Sequence, residues 1–289
     1  MKPLPRVMAI HDLSGVGKCS LTVALPILSL MGAEVAALPT AVLSTHTGGI
    51  TGYTYRDLTD DMPRVAQHWL SLGLSFDALY SGWLGSSAQA EIVLSVFDRF
   101  SREGMLRLVD PVMGDHGRLY STYTKDRVRG MVTLCEKADV ITPNLTEASF
   151  LLGEPYCADV LPAAKAEALC RRLSSLGPSR VVITGLSTGE HRIGAAAFDA
   201  EDGAFSLHEM PHIAGVWHGT GDIFASVLLG ALLKGQTLSG AASLSVEFTY
   251  GCIARTKALG ADPRFGVDFE RGLPALAQSL GEGGAADAR

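Results

Sequence analysis

Gly219-Thr220-Gly221-Asp222 stands directly before an apolar stretch, residues 223–233, that reads as a helix. The two glycines remove Cβ atoms where a ligand must come close to the backbone. A helix start offers unpaired N–H donors and a partial positive charge. Together these features make a cradle for negative charge developing on a phosphoryl group. Asp222 beside that cradle could accept a proton from an attacking hydroxyl. The same residue types also serve plain helix capping by Thr220 or Asp222. Val216-Trp217-His218 is expected to enter the turn as a short strand or extended segment.

Two further sets of residues carry similar chemistry. Asn144 and Glu147 lie three apart at the start of a helical stretch, so one turn puts them on one face. Glu147 could hold magnesium, directly or through water; the alternative is a capping box, with Asn144 as N-cap and Glu147 as its reciprocal partner. Asp110-Pro111-Val112-Met113-Gly114-Asp115 places two carboxylates on a glycine-containing loop after a buried strand. They could act on a metal–phosphate or on a substrate, or be solvated acids of a proline turn.

Gly15-Val16-Gly17-Lys18-Cys19-Ser20 imitates a phosphate-binding loop. That motif requires a glycine where Asp12 stands and a Ser or Thr where Cys19 stands. A tight strand-to-helix turn or a substrate loop fits better. Each of the eight histidines is expected to be a hydrogen-bonded or surface residue, so His46 and His218 are given no chemical step.

Short apolar runs alternate with helical periodicity along the chain. Strands are expected at 7–10, 35–38, 78–81, 106–109, 140–142 and 181–184, and a hairpin of 193–198 with 204–210 across 199–203. Helices are expected at 21–31, 63–72, 88–100, 125–137, 146–152, 162–176, 222–233 and 241–259. The pattern predicts an α/β fold, a mainly parallel sheet with helices on both faces. Ligands of such sheets sit beyond the carboxyl ends of the strands. His11-Asp12, Ser81-Gly82, Asp110-Pro111, Pro143-Asn144 and Thr184-Gly185 all fall there, which predicts one shared cleft. Residues 1–280 read as one domain, and the Gly/Ala-rich 281–289 as a frayed tail.

Composition narrows the rest. The chain has 289 residues, 47% of them hydrophobic, and a net charge of -6. No basic stripe suggests nucleic acid. No apolar run reaches the length of a membrane span, so a soluble protein is expected. The five scattered cysteines include no C-x-x-C pair, which points to a reduced, cytoplasmic setting.

Gly219-Thr220-Gly221-Asp222 resembles the C-terminal signature of the ribokinase superfamily, and Asn144-x-x-Glu147 its magnesium motif. Asp110-Pro111-Val112-Met113-Gly114 resembles the vitamin-kinase branch. Ser81-Gly82-Trp83-Leu84-Gly85-Ser86 and Ser44-Thr45-His46-Thr47-Gly48 resemble the pyridoxal kinases. The resemblance spans about residues 7–259. It implies a three-layer αβα sandwich, a homodimer, and transfer of the γ-phosphoryl of ATP to the 5′-hydroxymethyl of a pyridine. By that resemblance Asp222 is the base, Gly219, Thr220 and Gly221 form the anion hole, and Asp110, Asn144, Glu147 and Thr184 serve ATP and Mg²⁺. Asp110 and Glu147 are the implied metal residues, with a monovalent cation left open. Asp12, Ser14, Thr47 and Trp83 would line the pyridine pocket, and Tyr120 would sit on a flap over it. Two departures bear on specificity. Trp83 replaces a common Tyr, and Asp12 stands where many relatives carry Ser, which suits a cationic aminomethyl group and predicts that pyridoxamine is accepted. Hydroxymethylpyrimidine or a sugar is the rival substrate, although little room is left for a sugar-kinase lid between 35–38 and 45–52. A non-catalytic protein that binds pyridoxal phosphate is the rival of another class.

Overall fold

The computed structural model describes residues 3–121, 123–156, 160–189 and 191–282. Its strands are β1 (Arg6–Val16), β2 (Glu34–Thr45), β3 (Tyr55–Asp57), β4 (Ala78–Ser81), β5 (Leu106–Val109), β6 (Gly114–Asp115), β7 (Arg118–Leu119), β8 (Val140–Ile141), β9 (Arg180–Leu186), β10 (Arg192–Asp199) and β11 (Phe205–Pro211). Nine of them form one sheet in the order β11-β10-β9-β8-β5-β4-β1-β2-β3, and β6 and β7 make a separate hairpin. The run β2-β1-β4-β5-β8-β9 is parallel, while β3, β10 and β11 pair antiparallel.

The helices are α1 (Leu21–Leu30), α2 (Met62–Ser71), α3 (Ser87–Arg99), α4 (Lys125–Glu136), α5 (Leu145–Leu152), α6 (Ala163–Ser174), α7 (Thr220–Leu233), α8 (Leu238–Leu259) and α9 (Leu273–Glu282). Strand side chains alternate between faces, and the core divides accordingly. Met8, Leu79, Val109, Ile141 and Val181 pack under α2 to α6. Val7, Tyr80, Leu108, Val140 and Val182 pack under α1, α7, α8 and α9. The expected three layers are therefore present. No described helix is long and apolar enough to cross a membrane.

The differences from the sequence expectations have local causes. β1 continues past Ile10 through its polar stretch because β2 pairs with it as far as Val16↔Thr45, with a register irregularity between His11 and Leu13. Backbone pairing with a neighbour, which periodicity does not report, lengthens both strands. β3 and the β6–β7 hairpin are too short to show a period, and α9, ten residues long, is not among the expected helices. Residues 216 and 217 lie outside any strand, so no strand enters the turn before α7. α9 runs through 281 and 282, and the expected tail from 283 lies outside the described residues.

Candidate active site

The strand ends are in register: Ile10 faces Ser81, Ser81 faces Val109, and Val109 faces Ile141. Polar residues just beyond them are thereby brought level. α7 meets this edge at Gly219, whose φ of 76° is left-handed. A Cβ there would lie 2.1 Å from the Lys18 carbonyl oxygen, so only glycine lets the turn pack against the loop after β1. The first helical bond runs from the Ile223 amide to the Gly219 oxygen at 3.1 Å. The amides of Thr220, Gly221 and Asp222 come before it and have no acceptor within the helix. Neither expected cap is made: no side chain caps α7, and the Thr220 hydroxyl donates to the Trp217 oxygen at 3.1 Å.

Asp222 lies in the first turn of α7 with its side chain 14% exposed. Burial pushes its carboxyl up to about 7, the Ser20 amide hydrogen bond pulls it down, and the Asp12 charge raises it. Asp12 is itself buried and accepts from Ser14 Oγ at 2.7 Å and Ser20 Oγ at 2.6 Å. Lys18 and Ser20 both adopt positive φ, 48° and 53°. The Asp12–Ser20 bond thus holds a left-handed turn whose amide faces the proposed base. Ser20 precedes α1 but makes no side-chain cap, since its hydroxyl is turned to Asp12. Ser14 is fully buried, with its hydroxyl engaged by Asp12. The Lys18 ammonium pairs with Glu270 at 2.8 Å, which counts against the phosphate-loop reading of residues 15–20.

Asp110 and Glu147 form a second acidic pair. Asp110 is 6% exposed and accepts from Thr142 Oγ1 at 3.1 Å. Burial pushes it up to about 8, with the Asp222 charge adding to the rise. Glu147 is pushed well above the usual carboxylate range by burial and then by Asp110. The capping box is fully formed: the Glu147 amide donates to Asn144 Oδ1 and the Asn144 amide to Glu147 Oε2, both at 2.9 Å. Glu147 Oε1 also accepts from the Met113 amide at 3.1 Å. Asn144 Nδ2 donates to the Gly114 oxygen and the Gly117 amide to Thr146 Oγ1, each at 2.9 Å. The start of α5 therefore anchors the β6–β7 hairpin. Tyr120 follows that hairpin, 41% exposed, where a flap was expected. Asp115 sits on the hairpin, bonded to the His116 amide. Thr184 bridges to Asn144 and donates its amide to the Pro143 oxygen at 2.9 Å.

These acids make stability pH-dependent. Unfolded carboxylates titrate near about 4, and the native state holds the protons of Asp110 and Asp222 more tightly. Their contribution is therefore fully present below about pH 4 and is lost as pH rises through about 7–8. Asp110→Asn is expected to lose less stability than wild type between pH 5 and pH 8.5. Urea midpoints across that range check this, and equal losses would contradict it.

The substrate side is less tightly gathered. Thr47 and Trp83 are half-buried, and Trp83 meets the Tyr55 ring edge-on at 6.5 Å. Gln89, unremarked in the sequence, is fully buried and joins this wall. It accepts from the Gly85 amide at 2.7 Å and donates to the Thr40 oxygen at 2.9 Å. His46 accepts from the Gly48 amide at Nδ1, 3.0 Å, while its Nε2 lies 2.6 Å from the Arg264 oxygen. That is a hydrogen-bonded structural role. Ser20, Thr142 and Gln89 were not legible as site residues, because their partners come from distant segments.

The level strand ends thus gather a partly exposed carboxylate, an amide-rich helix start and two buried acids, a set suited to moving a phosphoryl group between oxygen atoms. The chain belongs to the phosphomethylpyrimidine kinase family, whose model matches residues 28–265. The resemblance to the ribokinase superfamily and its vitamin-kinase branch is borne out. Among its relatives, the pyridoxal kinase PdxY of Pasteurella multocida is 31% identical over 73% of this chain and 74% of its own length. A Bacteroides thetaiotaomicron protein, assigned to the phosphomethylpyrimidine kinases and crystallised in a form with pyridoxal, shares 40% identity and a TM-score of 0.91. That match covers 94% of this chain and 96% of the other. Pyridoxal kinase from Lactobacillus plantarum is 35% identical with a TM-score of 0.88, over 97% and 99%.

Proposed function

We propose that this chain transfers the γ-phosphoryl group of ATP to the 5′-hydroxymethyl group of pyridoxal and its vitamers. The observation that carries this is Asp222 held at the glycine-opened start of α7, level with the strand ends. The alcohol oxygen forms a bond to the γ-phosphorus, the bond to the ADP oxygen breaks, and the alcohol proton passes to Asp222. A primary alcohol is too weak an acid to ionise beforehand, so the proton moves late, through a loose transition state. A carboxyl pushed up to about 7 is well placed to take it at neutral pH. The amides of Thr220, Gly221 and Asp222 face the charge on the transferring group.

Asn144, Thr184 and Asp110 are assigned to the nucleotide side. Among the described residues, neither Asp110 nor Glu147 has an ion-pair partner, and no cluster of three or more metal-ligating side chains is found. Two buried acids without a counter-charge, offering hard oxygen donors, fit Mg²⁺ that keeps its waters and binds chiefly to phosphates. Glu147 already accepts two amides, so it would act through water while Asp110 reaches the ion. When bound, the ion neutralises phosphate charge. Asp12 and Ser14 shape the substrate loop, while Thr47, Trp83 and Tyr120 are assigned to the pyridine. A homodimer in the cytoplasm completes the reading; the described cysteines are free and buried.

ADP release with pyridoxal, pyridoxamine, pyridoxine, hydroxymethylpyrimidine and ribose tests it. The expected result is turnover of the vitamers, pyridoxamine included, at kcat/KM at least about tenfold above hydroxymethylpyrimidine. Ten-fold corresponds to about 1.4 kcal/mol of transition-state discrimination. Turnover confined to hydroxymethylpyrimidine or ribose would replace the substrate, and none at all would leave a binding protein.

A further inference from the structure

His11 is fully buried, and neither ring nitrogen has a hydrogen-bond partner within the described residues. Orphaned buried groups of this kind are rare, because desolvation is then uncompensated. Burial also pulls its pKa down to about 3, so the ring is neutral and carries a single N–H. The ring packs edge-on against Tyr80 at 4.2 Å. Its Nδ1 edge lies against Gly82, where a Cβ would come within 2.3 Å. That same nitrogen stands 4.0 Å from Asp222 Oδ1, just outside hydrogen-bonding range.

We infer that His11 is a positioning residue for Asp222, its Nδ1–H aiming the carboxylate at the substrate hydroxyl, and that Gly82 is glycine to admit the ring. This rests on the kinase reading above and adds a residue to it. Above about pH 7 the ionised Asp222 faces Nδ1, so the proton belongs on Nδ1 and not on Nε2; the reverse tautomer would set a lone pair against a carboxylate. The gap closes by a small turn of Asp222, whose side chain meets the cleft; catalytic hydrogen bonds are often long before substrate arrives. Ser20 approaches the same carboxylate through its backbone amide, leaving Asp222 held from two sides. The remaining titratable groups around it, Asp12, Asp110, Tyr80, Tyr120 and Cys19, are acids. Among the described residues His11 is the one basic side chain within 4.0 Å of the Asp222 carboxylate.

Nitrogen-15 NMR of the histidines in the free, full-length protein tests the contact without any turnover. His11 is expected as the Nδ1–H tautomer in wild type and to lose that preference in Asp222→Asn. An Nε2–H tautomer in wild type, or one unmoved by D222N, would overturn the inference. Kinetics supply the second arm. His11→Leu is expected to lower kcat about tenfold with both KM values within about twofold, the pattern of an interaction used at the transition state. His11→Asn, which can return a donor near the Nδ1 position, should restore most of that loss, and Gly82→Ala should reproduce it by displacing the ring. A kcat unchanged in His11→Leu, or no rescue by Asn, would count against it. Wild type inactive on every vitamer would sink the kinase reading and leave the tautomer result standing.

Discussion

Asp222→Asn is expected to lower kcat by about 10²–10⁴, the usual worth of general-base help, with KM for ATP within about twofold. The substitution keeps the shape of the side chain and removes its ability to take a proton. It also removes one of the charges that crowd Asp110 and Cys19, so the fold should tolerate it. The contrast between a large kcat loss and a nearly constant KM is informative, since a residue that merely gripped the nucleotide would raise KM instead. Steady-state rates with saturating pyridoxal and varied ATP measure both. A mutant within about threefold of wild type would remove Asp222 from the proton transfer.

Gly219→Ala should be the next most damaging change. Its Cβ would sit 2.1 Å from the Lys18 carbonyl oxygen, a backbone atom that cannot swing aside, and its φ of 76° is left-handed. The αL conformation alone costs roughly 1–2 kcal/mol for a residue with a Cβ. Displacing the helix start also misaims its amides, and losing one anion-hole donor is worth about 10²–10³ in kcat. Gly221 is different. A Cβ there meets nothing nearer than Asp110 Oδ2 at 3.7 Å, and the residue is exposed to the cleft. Gly221→Ala is expected to cost less than about tenfold in kcat, whereas a bulky side chain would fill the space the phosphoryl group needs. Similar losses for both alanine variants would mean that crowding at the cleft, not backbone geometry at Gly219, sets the requirement.

What the sequence made legible was local. The strands at Ala78–Ser81 and Leu106–Val109 appear with the expected bounds because each is a short apolar run closed by a turn signal. The antiparallel β10–β11 hairpin follows equally from neighbouring residues, while α7 begins at Thr220, two residues before the expected start. At α5 the capping-box reading of Asn144 and Glu147 is the one observed, and burial with the Asp110 charge nearby pushes the carboxyl it holds well above the usual range. What stayed hidden depends on chain segments far apart. Ser20 faces Asp222 because Asp12 bends it into a left-handed turn. His11 faces Asp222 because residue 82 lacks a Cβ. No period or propensity reports such meetings. Burial acts similarly on Asp12, which looked like a free partner for an amine and proves to hold two serine hydroxyls.

A crystal structure with pyridoxal and a non-hydrolysable ATP analogue puts the central claim to its most direct test. The 5′-hydroxyl oxygen should lie within about 2.6–3.2 Å of an Asp222 carboxylate oxygen, with the γ-phosphate over the amides that open α7. A hydroxymethyl group turned away from Asp222, or a triphosphate ending elsewhere than Gly219-Thr220-Gly221, would contradict it.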